Sequence, residues 1–122
     1  MMKKISKKTS PILSETISVK PLSVNQAWKG RKYKTKEYTL YEKKVLALLD
    51  DIYLEASDKM FLQIDVYYSN KASDIDNCIK PFVDILQKKY NFDDKCIYKL
   101  LINKHIAPKG QEKISFLLTP LE

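Results

Sequence analysis

A chain of 122 residues with 44% hydrophobic and 30% charged side chains is long enough for one domain around a single modest core. No apolar run approaches the ~20 residues that span a bilayer, and the start, Met-Met-Lys-Lys-Ile-Ser-Lys-Lys-Thr-Ser, lacks the apolar centre of a signal peptide, so a cytoplasmic location is expected. The net charge of +7 and the pI near 9.3 favour a polyanionic partner, whereas Cys78 and Cys96 are too few for a thiolate metal site and a lone His105 does not make a catalytic triad.

In chain order, residues 1–10 are polar and Lys-rich (Lys3, Lys4, Lys7, Lys8) and read as a flexible basic arm, with the domain proper at 11–122. Over residues 12–20, Ile17 and Val19 alternate with Ser18 and Lys20 as in a strand, which Pro21 ends. Residues 21–34 form a loop in which basic and aromatic side chains interleave. Lys29, Arg31, Lys32 and Lys34 are the candidate DNA-phosphate contacts, with Trp28 and Tyr33 available to stack on bases, and Gly30 supplies the turn. A helix follows to about Ala56, capped by Thr35 or Thr39, the latter forming a capping box with Glu42. Tyr38, Tyr41, Val45, Leu48, Leu49 and Ile52 make its apolar face.

Met60–Tyr68 alternates strictly, with Met60, Leu62, Ile64, Val66 and Tyr68 on one side, and is a strand that leads directly to Asp74. A second helix is expected from Asp76 or Asn77 to about Lys89. Pro81 lies in its first turn and Ile79, Phe82, Val83 and Leu86 form its buried stripe. Residues 97–104 and 113–119 read as two further strands. The order β-α-β-α-β-β predicts a single α+β domain: a four-stranded mixed sheet with two helices on one face, its strand order open.

The acids are concentrated between the middle strand and the third. Asp74, Asp76, Asp84, Asp93 and Asp94 fall within about twenty residues of an otherwise basic chain. Carboxylates brought together repel, and a hard divalent cation is the natural compensation. Asp74 and Asp76 fall at the mouth between strand and helix, where free amides favour negative charge. Lys80, one turn on, is in reach of the same pocket, and Asp93-Asp94 could return to the same end of the sheet. N-capping by the first acids and an ordinary turn at the second pair are the competing structural explanations.

The pattern Asp74-Ile-Asp76-Asn77-x-x-Lys80-Pro-x-x-Asp84-x-Leu86 with a trailing Asp93-Asp94 resembles the signature of the RusA family of Holliday-junction resolvases. Pro21-x-Ser23-x-Asn25 is similar to that family's N-terminal motif, and the resemblance spans roughly residues 19–104. It implies a small homodimeric endonuclease, often phage- or prophage-borne, that depends on Mg²⁺, with Mn²⁺ as a substitute, and nicks four-way DNA junctions symmetrically. By the same resemblance Asp74, Asp76 and Asp94 are the metal-binding carboxylates, Asp93 a supporting ligand, Lys80 the catalytic lysine and Asp84 structural. One departure is Tyr90-Asn91, where members often have glycine; Asn tolerates the left-handed conformation that ends a helix. Two other readings compete: a nuclease built on Asp84 and Asp93-Asp94-Lys95, and a DNA-binding or regulatory protein whose acids are structural.

Overall fold

The computed structural model describes residues 8–23, 28–29 and 33–121, with the backbone alone at 28–29 and 33–34. Its strands are β1 (Lys8–Ser10), β2 (Leu13–Ile17), β3 (Trp28–Lys29), β4 (Tyr33–Lys34), β5 (Ile52–Leu54), β6 (Met60–Tyr68), β7 (Ile97–Ile106) and β8 (Lys113–Pro120). Among the described residues there are two α-helices, α1 (Lys36–Leu48) and α2 (Ile79–Tyr90), and a 3₁₀ turn at Asp94–Cys96. The main sheet has the order β2-β8-β6-β7. β8 runs antiparallel to both β2 and β6, whereas β6 and β7 are parallel and joined by the α2 crossover. This is the mixed four-stranded α+β domain that the element order predicts.

The alternation in β6 is fully realised: Met60, Leu62, Ile64, Val66 and Tyr68 are buried, and the residues between them are half-buried. With Ile114, Phe116 and Leu118 of β8 and Leu13 and Ile17 of β2 they form the sheet half of the core. The helical half comes from Tyr38, Tyr41 and Val45 of α1 and from Ile79, Phe82, Ile85, Leu86 and Tyr90 of α2. Phe82 meets Phe116 edge-on at 5.6 Å between ring centres, fixing α2 on the sheet. At the far end of α2 the Tyr90 hydroxyl donates to Glu15 at 2.6 Å and to the Asp50 carbonyl at 2.8 Å. Burial pushes the Tyr90 phenol up, so it stays a donor there.

Several boundaries differ from the sequence reading. Thr35, not Thr39, caps α1, its hydroxyl accepting from the Tyr38 amide at 3.1 Å; Thr39 lies inside the helix and donates back to the Thr35 carbonyl at 3.2 Å. The helix stops at Leu48 rather than near Ala56. Ile52–Leu54 is a strand instead, paired in parallel with Lys8–Ser10, which draws the last three residues of the expected arm into the fold. Leu48 is exposed, so the apolar face of α1 ends at Val45 and Leu49. In α2 the buried stripe includes Ile85, and Val83 is only half-buried. The helix ends as the sequence predicts: Asn91 is left-handed, with φ 54° and ψ 57°, and its amide bonds to the Gln87 carbonyl.

Candidate active site

The loop between β6 and α2 carries Asp74 and Asp76. It is held from below by Tyr68, whose hydroxyl donates to the Asp74 carbonyl at 3.1 Å. Burial raises the Tyr68 pKa, so the group remains a phenol and the anchor persists. From the side, Lys104 of β7 donates to the carbonyls of Lys71, at 2.8 Å, and Ser73. Within the loop the Asn77 side-chain amide donates to the Asp74 carboxylate at 3.3 Å, and the Ile79 amide donates to the Asp76 carbonyl at 3.1 Å. Residues 75–78 form a turn, so α2 starts at Ile79, slightly later than the sequence reading, with Pro81 in its first turn.

N-capping does not account for these acids. The cap of α2 is Cys78, and no side chain bonds there. Both carboxylates are exposed beside the helix start, where unpaired amides favour anions. A cleft of about 340 Å³ adjoins them, lined by Lys20, Ser23, Tyr68, Asn70, Ser73 and Asn77. Ser23 belongs to the N-terminal motif, so the two halves of the signature meet in this cleft. Cys78, buried beside Tyr68, has its thiol pushed up by burial, and both cysteines are free thiols, as the composition suggested.

Lys80 lies on the first turn of α2. Its ammonium is 3.4 Å from both carboxylate oxygens of Asp84, one turn further along, and the lysine side chain is 65% exposed. Gln87 also donates to Asp84, at 3.5 Å. Asp84 therefore holds the direction of Lys80 and does not itself join the acids of the loop. It sits on a helix, away from the strands that the Asp84/Asp93-Asp94-Lys95 nuclease arrangement would need.

Asp93 and Asp94 correct an expectation. Because β6 and β7 are parallel, with Met60 beside Ile97 and Tyr68 beside Ile106, the end of β6 and the start of β7 lie at opposite ends of the sheet. Asp74 follows the former and Asp94 precedes the latter, so Asp93-Asp94 does not return to the loop of Asp74 and Asp76. Asp93 accepts from the Lys95 amide at 3.0 Å, which holds its carboxyl below the usual range, and the Asp94 amide donates to Gln87 at 2.9 Å. Among the described residues no three His, Cys, Asp or Glu side chains converge to hold a metal ion. The donors of one chain thus fit a divalent cation in kind, as hard carboxylate oxygens, but leave its set incomplete in place.

The sequence reading gave His105 no role. It bonds Asp65 at 2.9 Å and stacks on Tyr67 at 4.4 Å, on the sheet face opposite the one that α1 and α2 cover. With Gln63 donating to the same carboxylate, this bond keeps Asp65 below its ordinary pKa. The alternation of β6, which sends Asp65 and Tyr67 away from the core, was the available signal. Of the expected DNA contacts, Arg31 and Lys32 lie outside the described residues. Lys29 and Lys34 belong to the antiparallel β3–β4 pair, with their side chains outside the description.

A family model described as Endodeoxyribonuclease RusA matches residues 18–115. No curated protein matches the chain.

Proposed function

Because the chain belongs to the RusA family of endodeoxyribonucleases, we propose that it resolves four-way DNA junctions by paired symmetric nicks, using Mg²⁺ or, in its place, Mn²⁺. The observation that carries this reading is the exposed Asp74–Asp76 loop at the start of α2, inside the matched region and next to the cleft that Ser23 shares. The active form is a homodimer in the cytoplasm, since a junction has two strands to cut and each chain offers one such loop.

Asp74 and Asp76 are the carboxylates at the reacting phosphate; Asp94, at the far end of the sheet in its own chain, joins them only from a second copy. Lys80, exposed on the first turn of α2, reaches the phosphoryl oxygens, where a positioned cation stabilises charge that develops during cleavage. Asp84 keeps Lys80 extended along the helix until DNA arrives. The Lys-rich start and the loop with Lys29, Arg31, Lys32 and Lys34 meet the duplex arms, where phosphate contacts fix position without reading sequence.

A synthetic four-way junction, incubated with the protein in Mg²⁺ or in EDTA and run on a denaturing gel, tests the reading. Symmetric cuts on two opposed strands in Mg²⁺ alone are expected. A protein that shifts the junction on a native gel yet leaves every strand intact in both Mg²⁺ and Mn²⁺ is a binding protein, and the proposal fails.

A further inference from the structure

Lys104 is not one of the signature residues, yet its ammonium sits against the loop that carries the signature acids. It lies on β7, level with Val66 of β6, and so faces the helix side of the sheet just before β6 gives way to that loop. Its stem reaches past the end of β6, where the ammonium donates to the Lys71 carbonyl at 2.8 Å and to the Ser73 carbonyl. The Tyr68 ring lies 6.0 Å from the ammonium, and the Tyr68 hydroxyl donates to the next carbonyl, that of Asp74, at 3.1 Å. The Ser73 amide bonds to the Asn70 carbonyl at 3.2 Å, and the Asn70 side chain accepts from the Ala72 amide at 2.8 Å. The carbonyls of Asn70, Lys71, Ser73 and Asp74 are thus all held, and the backbone is pinned on both sides of the Ser73–Asp74 peptide.

The carboxylates are left out of this network. Among the described residues neither Asp74 nor Asp76 is in an ion pair, and the side-chain bond of Asp74 is the one it accepts from Asn77 at 3.3 Å. A bond between two ionised groups is stronger than one from an ammonium to a neutral carbonyl, so a lysine this close to two acids has an evident alternative partner. Here the ammonium is committed to peptide oxygens instead. It offsets part of the mutual repulsion of the acids and leaves both open to another cation.

We infer that Lys104 is a positioning residue of this site: by holding the peptides ahead of Asp74 it presets the loop for the cation that Asp74 and Asp76 receive, and it takes no part in binding DNA. This rests on the reading of those two acids as ligands. Two of the three ammonium protons are committed to the loop, and the side chain is half-buried, unlike the exposed Lys80. Lys104 is therefore poorly placed as a phosphate anchor. The choice of residue follows from reach. The loop leaves β6 while its support stands on the neighbouring strand, and a four-carbon stem with a three-donor head spans that gap. A site fixed in advance loses less freedom when its ligand arrives, so a loosened loop should lose cation affinity and rate together.

The test uses the full-length protein. Lys104→Met keeps the stem and loses the charge and donors, whereas Lys104→Arg keeps both. Hydrogen–deuterium exchange of the amides of residues 69–77 is followed without metal or DNA, and Mn²⁺ affinity by calorimetry. Single-turnover nicking of a four-way junction is followed over a Mg²⁺ titration, and junction affinity is measured in EDTA. In the Met variant, exchange across 69–77 should quicken roughly tenfold while β6 and β8 keep their protection. Mn²⁺ binding should weaken, and nicking at low Mg²⁺ should slow roughly ten- to a hundredfold, as expected for lost bonds to a charged group. Junction affinity should not change, and Arg should restore most of each loss. Wild-type exchange, Mn²⁺ binding and nicking in the Met variant overturn the inference. So does a loss of junction affinity that matches the loss of rate, which makes Lys104 a phosphate anchor, and so does equal loosening of β6 and β8, which makes it merely part of the fold. If Lys104→Met does not fold, Lys104→Gln, neutral but still polar, takes its place under the same expectations. A wild type that binds Mn²⁺ yet nicks no junction refutes the nuclease reading, and exchange with Mn²⁺ affinity then decides the role of Lys104. A wild type that neither binds Mn²⁺ nor nicks overturns both.

Discussion

At the scale of single residues, Lys80 separates a chemical role from a structural one. Its partner Asp84 is one helical turn away, and a surface pair of this kind contributes about 0.3–0.5 kcal/mol, too little for the pair to exist for stability. Lys80→Ala should therefore leave the unfolding midpoint nearly unchanged. If the ammonium acts on the transition state, the same variant should lower single-turnover nicking strongly, with little change in junction affinity. A variant that recovers the full rate at high protein concentration would reduce Lys80 to a phosphate anchor. Cys78, two residues earlier, shows the opposite case: buried and pushed toward the neutral thiol, it is part of the packing beneath the loop.

At the scale of elements, α1 shows how a short-range signal can be right in kind and displaced in position. Two threonines four residues apart both precede an apolar run, and only Thr35 has the extended backbone that lets its hydroxyl reach the Tyr38 amide. Thr35→Ala should cost about 1 kcal/mol of stability in urea unfolding, within the range for lost N-caps, whereas Thr39→Ala should cost clearly less. Equal losses at the two positions would contradict the cap assignment. Leu49 is extended, and the chain then turns into β5, since pairing with Lys8–Ser10 satisfies the backbone of residues 52–54 in a way that continued helix would not.

At the scale of the molecule, acids and bases are divided between two tasks. The five aspartates of the signature occupy the βαβ unit, and the excess of positive charge lies outside it, much of it in the first 34 residues. Affinity for a junction should come mostly from neutralised phosphates and fall steeply with salt, with a log–log slope of magnitude about 0.9 per phosphate on duplex arms. Replacing Arg31 and Lys32 together by Ala should flatten that slope by up to about two units. An unchanged slope would remove this loop from the DNA surface.

The sequence by itself determined what the central stretches are, from the strand at Met60 to the end of α2. The alternation of Met60–Tyr68 set its buried face, Pro81 set the first turn of α2, and Asn91 set its end, because these are local properties of a few neighbouring residues. The Asp74-x-Asp76-Asn77 signature, with Lys80 and Asp93-Asp94, likewise located the family and the candidate chemistry. Neighbours in space were decided only by the tertiary structure. Periodicity shows which face a strand buries but is silent on which strand lies beside it, and in which direction. The parallel pairing of β6 with β7 carries Asp94 to the far end from Asp74, and the register of the same pair sets His105 against Asp65. The union of Ile52–Leu54 with the start of the chain is likewise a contact between residues distant in sequence. Such pairings follow from the closing of one core and the matching of backbone hydrogen bonds across it, which no short window of residues contains.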